Sequence, residues 1–295
     1  MKISRKTFLR ALGLGAGAAM LGGMPGWAAE SEKTEIIDGE EVRRAVPVEQ
    51  ASEVAHGGAI FVNHGPGFGR RIALTFDDGP NPKVTERVLA ALKERGLLAT
   101  FFMIGQRVAA AGEWAEAVHE AGHEIGNHSL THPQLSKLSD ARVAYELAKT
   151  QELILDATNV SPVWFRPPYG AFKRTQGELA SSRGLGVMLW SVDPRDWSQP
   201  GADKITHTIL TETRPGSIIL CHDLHPQTAD ALPGILDGLL ERGFEFCTIS
   251  GFMGAPYGVP HAVPPGVVPA PPLAPGALPP PGEPHIHDPA LHKAA

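Results

Sequence analysis

Cysteine is scarce: the 295 residues hold two, Cys221 and Cys247, each inside an apolar run. Two thiols in a chain this long make no disulfide framework, so a small stapled scaffold is excluded and both are expected as buried small hydrophobes. Basic excess is missing as well, because 26 Lys and Arg face 32 Asp and Glu, for a net charge of −6. Without a basic stripe, nucleic acid is set aside as a partner. A membrane-spanning run is lacking too. The apolar stretch from Ala11 to Leu21 falls far short of the ~20 residues that cross a bilayer, which argues against a transmembrane anchor.

What is present at the two ends differs from the middle. Lys2, Arg5, Lys6 and Arg10 precede that apolar stretch, and small residues surround Gly26-Trp27-Ala28. This is the layout of a signal peptide over residues 1–29, so export to a periplasm, cell envelope or extracellular space is expected. Ser4 to Arg10 is similar to a twin-arginine signal with Lys6 in place of the second arginine, which leaves the Sec and Tat routes both open. Residues 30–65 read as an N-terminal extension or linker. From 254 to 295 the chain is dominated by Pro, Gly, Ala and Val, as in Pro264-Pro265 and Pro279-Pro280-Pro281. Such a segment has no periodic apolar face and loses backbone donors at each proline, so a disordered, polyproline-like tail is expected. His261, His285, His287 and His292 dot it without a fixed site.

Between these ends, residues 66–253 alternate strand-like and helix-like segments. Strands are expected at Arg71–Phe76, Ala99–Ile104, Glu124–Gly126, Val163–Phe165, Gly186–Val192, Ser217–Cys221 and Phe244–Ile249. Helices are expected at Lys83–Arg95, Glu113–Ala121, Asp140–Thr158 (with Ser139 as N-cap), Gln176–Arg183, Asp203–Thr213 and Ala229–Arg242. Continuously apolar strands separated by helices imply a parallel sheet covered by helices. About seven repeats in so short a span favour an α/β fold closed as a distorted (β/α) barrel, and in such barrels chemistry sits where strands end. A monomer is expected.

The polar residues obey that rule. Asp77 and Asp78 follow the first strand and are turned by Gly79-Pro80. Two adjacent carboxylates crowd like charge unless a cation divides their roles. His128 and His132 follow another strand, and four-residue spacing on a helical turn would face both to one side. With one carboxylate oxygen they make a three-ligand site with open positions, as catalytic zinc requires. Ser129 stands where the zinc-protease pattern needs glutamate, so this is not that motif. Arg166-Pro167-Pro168-Tyr169-Gly170, Asp193-Pro194-Arg195-Asp196-Trp197 and Leu220-Cys221-His222-Asp223 follow three further strands.

In this order, across about residues 70–250, these five segments resemble the motifs of the polysaccharide deacetylases with a NodB homology domain, carbohydrate esterase family 4. The resemblance implies a metal-dependent hydrolase that removes N-acetyl groups from N-acetylglucosamine-type units of peptidoglycan or a chitin-like glycan. It implies a divalent metal, Zn2+ foremost, on Asp78, His128 and His132, with Asp77 as general base and His222 as general acid. Asp196 would orient His222, and Arg166 would do the same for Asp77. The Tyr169 backbone N–H would stabilise the oxyanion, while Trp197 and Leu220 would shape an acetyl pocket. His225 reads as a loop residue that lines the cleft.

Two alternatives keep the same barrel. One hydrolyses O-acetyl esters on a polysaccharide such as xylan, which the motifs do not separate from amide cleavage. The other is an inactive glycan-binding domain, which predicts damage to the base, acid or metal ligands; none of these residues is missing.

Overall fold

The computed structural model describes residues 31–37, 40–46, 61–67 and 69–254, the first two stretches as backbone alone. The expected signal peptide and the Pro-rich tail beyond Gly254 lie outside the described residues. Residues 1–47 and 48–295 form separate units. In the first, β1 (Ser31–Ile37) and β2 (Glu40–Val46) pair antiparallel, Ser31 opposite Val46 and Ile37 opposite Glu40. Asp38-Gly39 lies between them in the sequence, a dipeptide favoured in two-residue hairpins. This strand pair falls within the stretch expected as an extension or linker.

The second unit is a parallel α/β fold. Its strands are β3 (Phe61–Val62), β4 (Arg71–Asp77), β5 (Thr100–Met103), β6 (Glu124–Asn127), β7 (Trp164–Phe165), β8 (Gly186–Met188), β9 (Ile218–His222) and β10 (Glu245–Cys247). Its helices are α1 (Pro82–Glu94), α2 (Gly105–Ala110), α3 (Gly112–Glu120), α4 (Asp140–Thr158), α5 (Gly177–Ser181), α6 (Ala202–Glu212), α7 (Pro226–Glu241) and α8 (Ile249–Met253). The sheet runs β10-β4-β5-β6-β7-β8-β3, and β9 pairs with β4. Thr75 to Asp77 pair with both β5 and β9, and Ala73 with both β9 and β10. Strands β5 and β10 therefore share one edge of β4, at its top and bottom. A single parallel bridge, Val192 to Ile219, joins the chain after β8 to β9 and brings the sheet round into a distorted barrel.

Strand period sorts the side chains into two layers. Ile72, Leu74 and Phe76 of β4, with Phe101, Met103, Ile219 and Cys221, pack outward in the cluster that includes Val88, Leu92, Leu232 and Leu236 of α1 and α7. The alternate residues turn inward, where Ala73, Phe102, Trp164, Met188 and Ile218 form a second cluster. Room for the Phe102 ring exists because Gly126 faces it; a Cβ there would lie 2.4 Å from the ring. Helix α1 starts at Asn81, whose side chain accepts from the N–H groups of Lys83 and Val84.

The main differences between expected and observed elements are these. Phe61–Val62 pairs with β8, so the sheet takes in residues ahead of position 66. Helix α2 was not expected; its six residues are too few for a readable apolar period. The strand expected at Phe244–Ile249 stops at Cys247, because the Thr248 side chain accepts from Gly251 N–H and starts α8. The strand expected at Gly186–Val192 ends at Met188 and leaves only the Val192 bridge. Cys221 is a free, buried thiol and Cys247 a free, half-buried one. Among the described residues no helix is long and apolar enough to cross a membrane.

Candidate active site

The inward columns of the barrel end in the polar residues. Along β4, Ala73, Thr75 and Asp77 share the inner face, and along β9 so do Ile218, Leu220 and His222. Trp164 of β7 precedes Arg166 by two, and Gly126 of β6 precedes His128 by two. One end of one barrel thus gathers side chains that are far apart in sequence.

Among the described residues Arg166 is the largest fully buried side chain. Its Nη1 donates to Asp77 Oδ1 and to Thr75 Oγ1, both at 2.7 Å. Its Nε and Nη2 donate to the carbonyls of Met188 and Leu189, and its guanidinium carbon lies 4.1 Å from the centre of the Phe102 ring. Burial lowers the guanidinium pKa, but the Asp77 carboxylate opposes that shift. The pair is buried, directionally bonded and stacked on an aromatic face, so Asp77 Oδ1 is tied down. Its other oxygen, Oδ2, lies 3.6 Å from His128 Nε2.

Asp78 has φ 75°, a left-handed conformation that turns its carboxylate toward the two histidines. Asp78 Oδ1 lies 3.4 Å from His128 Nε2 and 3.2 Å from His132 Nε2. One ligand atom from each of the three residues lies within 4.8 Å of the others. His128 Nδ1 donates to the Arg166 carbonyl at 2.7 Å, which fixes the tautomer with the Nε2 lone pair directed at Asp78. A lone pair facing a carboxylate is poorly stabilised without a cation between them, so these donors fit a divalent ion with mixed nitrogen and oxygen ligands. The histidines do not lie on a helical turn, contrary to the sequence expectation. Ser129 and His132 take φ 63° and 57°, and this irregular loop, not helical periodicity, brings both rings to Asp78.

Beside Asp77, on the neighbouring strand β9, His222 is paired with Asp196. His222 Nδ1 donates to Asp196 Oδ1 at 2.7 Å, and the His222 N–H donates to Oδ2 at 2.8 Å. Thr228 Oγ1, at the start of α7, adds a bond to Oδ2 at 2.6 Å, and Trp197 N–H donates to Oδ1 at 3.0 Å. Burial alone would raise the Asp196 pKa, but the His222 charge and these bonds hold it below the ordinary carboxylate value. Burial likewise pulls His222 down, yet Asp196, reinforced by Asp78 and Asp77, lifts it to about 10. A cation held at Asp78 would work against that rise by offsetting the two mouth carboxylates.

The remaining expected residues also lie at this end. Tyr169 has φ 61° and its ring meets His132 edge-on at 4.8 Å. Leu220 is buried beside Thr75 on β9, and Trp197 is half-buried in the turn after Asp196. The His225 ring centre is 6.4 Å from that of His222, beside the mouth. A cleft of about 610 Å³ runs from Tyr169 past Trp190 toward Lys204 and Glu212 on α6.

Several supporting residues were not singled out from the sequence. Thr75 joins Arg166 to the Ile219 carbonyl, which its hydroxyl reaches at 2.7 Å. Its inward position two before Asp77 is the signal that could have found it. Asp223 is buried beneath Gly79, where a Cβ would lie 2.3 Å from the carboxylate. Burial raises Asp223 to about 7, and Thr85 Oγ1 donates to it at 2.5 Å. Thr228 carries no sequence signal, because only folding brings α7 against Asp196.

Similarity to known proteins agrees with this geometry. Residues 64–188 match the family model described as polysaccharide deacetylase. The chain is 41% identical over 185 residues to the peptidoglycan-N-acetylglucosamine deacetylase PgdA of Listeria monocytogenes, covering 63% of this chain but 39% of that protein. It is 41% identical over 205 residues to a chitooligosaccharide deacetylase of Bradyrhizobium sp., covering 63% of this chain and 93% of that one. A solved carbohydrate esterase family 4 pseudoenzyme from Bacillus anthracis superposes with a TM-score of 0.65 at 30% identity, over 72% of this chain and 73% of the other. With nearly the whole Bradyrhizobium protein matched and the barrel shared with a solved member, this chain belongs to the polysaccharide deacetylase family.

Proposed function

We propose that the chain is a metal-dependent hydrolase that removes N-acetyl groups from N-acetylglucosamine-type residues of an extracellular polysaccharide, peptidoglycan or chitin-like. One observation carries this reading: a buried Asp77–Arg166 pair, the Asp78–His128–His132 cluster and a buried His222–Asp196 pair converge on one barrel mouth. An inactive binding domain has no use for three such constellations, each of which is expensive to bury. The names of the Listeria and Bradyrhizobium relatives support the substrate class. The charged and apolar run at the N-terminus supports export, with residues 1–29 as the signal and the barrel from β3 to α8 as the catalytic domain.

Asp78, His128 and His132 would hold the ion, with Zn2+ the expected one. When bound there, it would polarise the acetyl carbonyl and bring the pKa of water down to about 7. Asp77 takes the proton from the attacking water through Oδ2, since Arg166 occupies Oδ1. The Tyr169 backbone N–H donates to the carbonyl oxygen as it gains charge, an interaction worth about 3 kcal/mol in the transition state. Leu220 and Trp197 enclose the acetyl methyl and keep bulk water from it. His222 then delivers a proton from Nε2 to the departing nitrogen, and Asp196 keeps its Nδ1 protonated and its ring fixed. The C–N bond breaks, acetate leaves, and the sugar keeps a free amine.

The test is mass spectrometry of N-acetylchitooligosaccharides, peptidoglycan fragments and acetylxylan after incubation with purified, Zn2+-loaded protein. Loss of one acetyl per sugar is expected from the first two. Acetate from xylan alone would replace the proposed reaction with ester hydrolysis, and no product from any glycan would favour the binding domain.

A further inference from the structure

Behind the His128–His132 loop lies a carboxylate that no step above uses. Glu146, on the inward stripe of α4, is 0% exposed. Its Oε2 accepts the N–H groups of Leu130 and Thr131, both at 2.9 Å. Its Oε1 accepts from Thr131 Oγ1 at 2.9 Å and from Arg142 Nε and Nη2 at 3.0 and 2.6 Å. Leu130 and Thr131 are the two residues between Ser129 and His132, both of which hold left-handed backbone. Each such non-glycine residue is strained and persists only where its surroundings over-determine it.

The over-determination is visible bond by bond. Ser129 N–H donates to Asn127 Oδ1 at 2.9 Å, and His132 N–H donates to Ser129 Oγ at 3.1 Å. With the two N–H groups on Glu146, four consecutive backbone donors are captured by side-chain oxygens. On the carbonyl side, Ser129 O and Leu130 O accept from Gly105 N–H and Gln106 N–H at the start of α2. Among these side chains Glu146 alone is charged, and it alone comes from a separate element. Bonds to a charged acceptor are roughly twice as strong as neutral ones. Arg142 balances its charge at Oε1, so the anion is kept without an unpaired buried charge.

We infer that Glu146 is a positioning residue for the metal ligands: by clamping the backbone between the two histidines, it holds His132 against Asp78 and so sets the affinity for the ion. This rests on the metal-site reading above, because a loop that held no ligand would gain nothing from such a clamp beyond stability.

The dissociation constant for Zn2+ is measured by competition with a chromophoric chelator, alongside thermal unfolding of the metal-free protein. Wild type, Glu146→Gln and Glu146→Ala are compared. Gln keeps an oxygen for the two N–H groups but loses the charge, so affinity weakens about 10-fold; Ala removes the clamp and weakens it up to about 100-fold. Unchanged affinity in both variants, with only a lower melting temperature, would reduce Glu146 to a structural role and overturn the inference. Should the Ala variant fail to fold, the Gln variant decides, and equality with wild type is again fatal. A wild-type protein that binds no Zn2+ would instead remove the metal-site reading itself.

Discussion

Two ends of one barrel each bury a carboxylate, and they do so in opposite ways. At the bottom, Glu124 accepts from Thr100 Oγ1 at 2.9 Å, from Ser250 N–H at 3.0 Å and from Ser250 Oγ. Trp164 Nε1 and Ile249 N–H extend this set through Ser250 and Thr100. Every partner is neutral, and burial raises the Glu124 pKa against the pull of those bonds. At the mouth, Asp77 is bonded to a buried guanidinium, and its second oxygen faces a histidine. A carboxylate whose donors are neutral and whose sites are used locks α8 to the strands. One that is charge-balanced and has an oxygen directed at ligands can move a proton. The backbone makes the same division: Asp78, Ser129, His132, Tyr169 and Arg195 have positive φ at the mouth, whereas β10 and the start of α8 are regular.

That contrast breaks if the two ends respond alike to substitution. Asp77→Asn is expected to lower kcat per folded molecule by about 10³- to 10⁴-fold while Zn2+ stays bound, and to lower the melting temperature as well because the buried Arg166 charge loses its counter-ion; steady-state kinetics with metal analysis checks it. His222→Ala should lower kcat by about 10²- to 10⁴-fold, and Asp196→Asn should shift the pH profile of kcat in addition to reducing it. Glu124→Ala should do the reverse, destabilising by about 3–5 kcal/mol through the donors it strands, with kcat per folded molecule unchanged. Urea titration and activity of the same sample would report both.

The smallest expected effect concerns His123, also at the bottom. It accepts from Ala99 N–H through Nδ1 at 3.3 Å and its ring lies against Phe101, and burial pulls its pKa to about 4. The unfolded chain takes up a proton near pH 6.5 and the folded chain only near 4, so stability is full above 6.5 and falls between those values. The loss is about 2–3 kcal/mol. His123→Gln, which keeps an acceptor and cannot titrate, should flatten this acid limb in urea unfolding measured from pH 7 to 4. An unchanged limb would assign it to other groups.

Much of the site was legible because its residues occupy strand ends. Asp77, Asp78, Arg166 and His222 follow continuous apolar runs that only a buried strand explains. Glu146 was harder, yet α4 carries a trace of it. Val143, Leu147, Thr150 and Ile154 are buried at helical spacing, and a glutamate at 146 interrupts that stripe where an apolar residue would serve a core. A charge on a buried helical face asks for partners, but nothing in the sequence names Leu130 and Thr131 as those partners. The helical turn expected for His128 and His132 failed for a related reason. Four-residue spacing is compatible with a helix, but two left-handed residues reach the same convergence by another path.

The sequence by itself determined the chemical inventory and the period-two columns that carry Asp77, Arg166 and His222 to the inner face, because strand geometry allows no other alternation. Tertiary structure decided the rest. Pairing of β9 with β4 sets His222 beside Asp77, and the Val192–Ile219 bridge ties β9 to the chain after β8. Folding also aims Thr228 at Asp196 and Glu146 at the His loop. Hydrogen bonds between residues tens of positions apart depend on where the chain returns, and no local preference of either residue encodes that return.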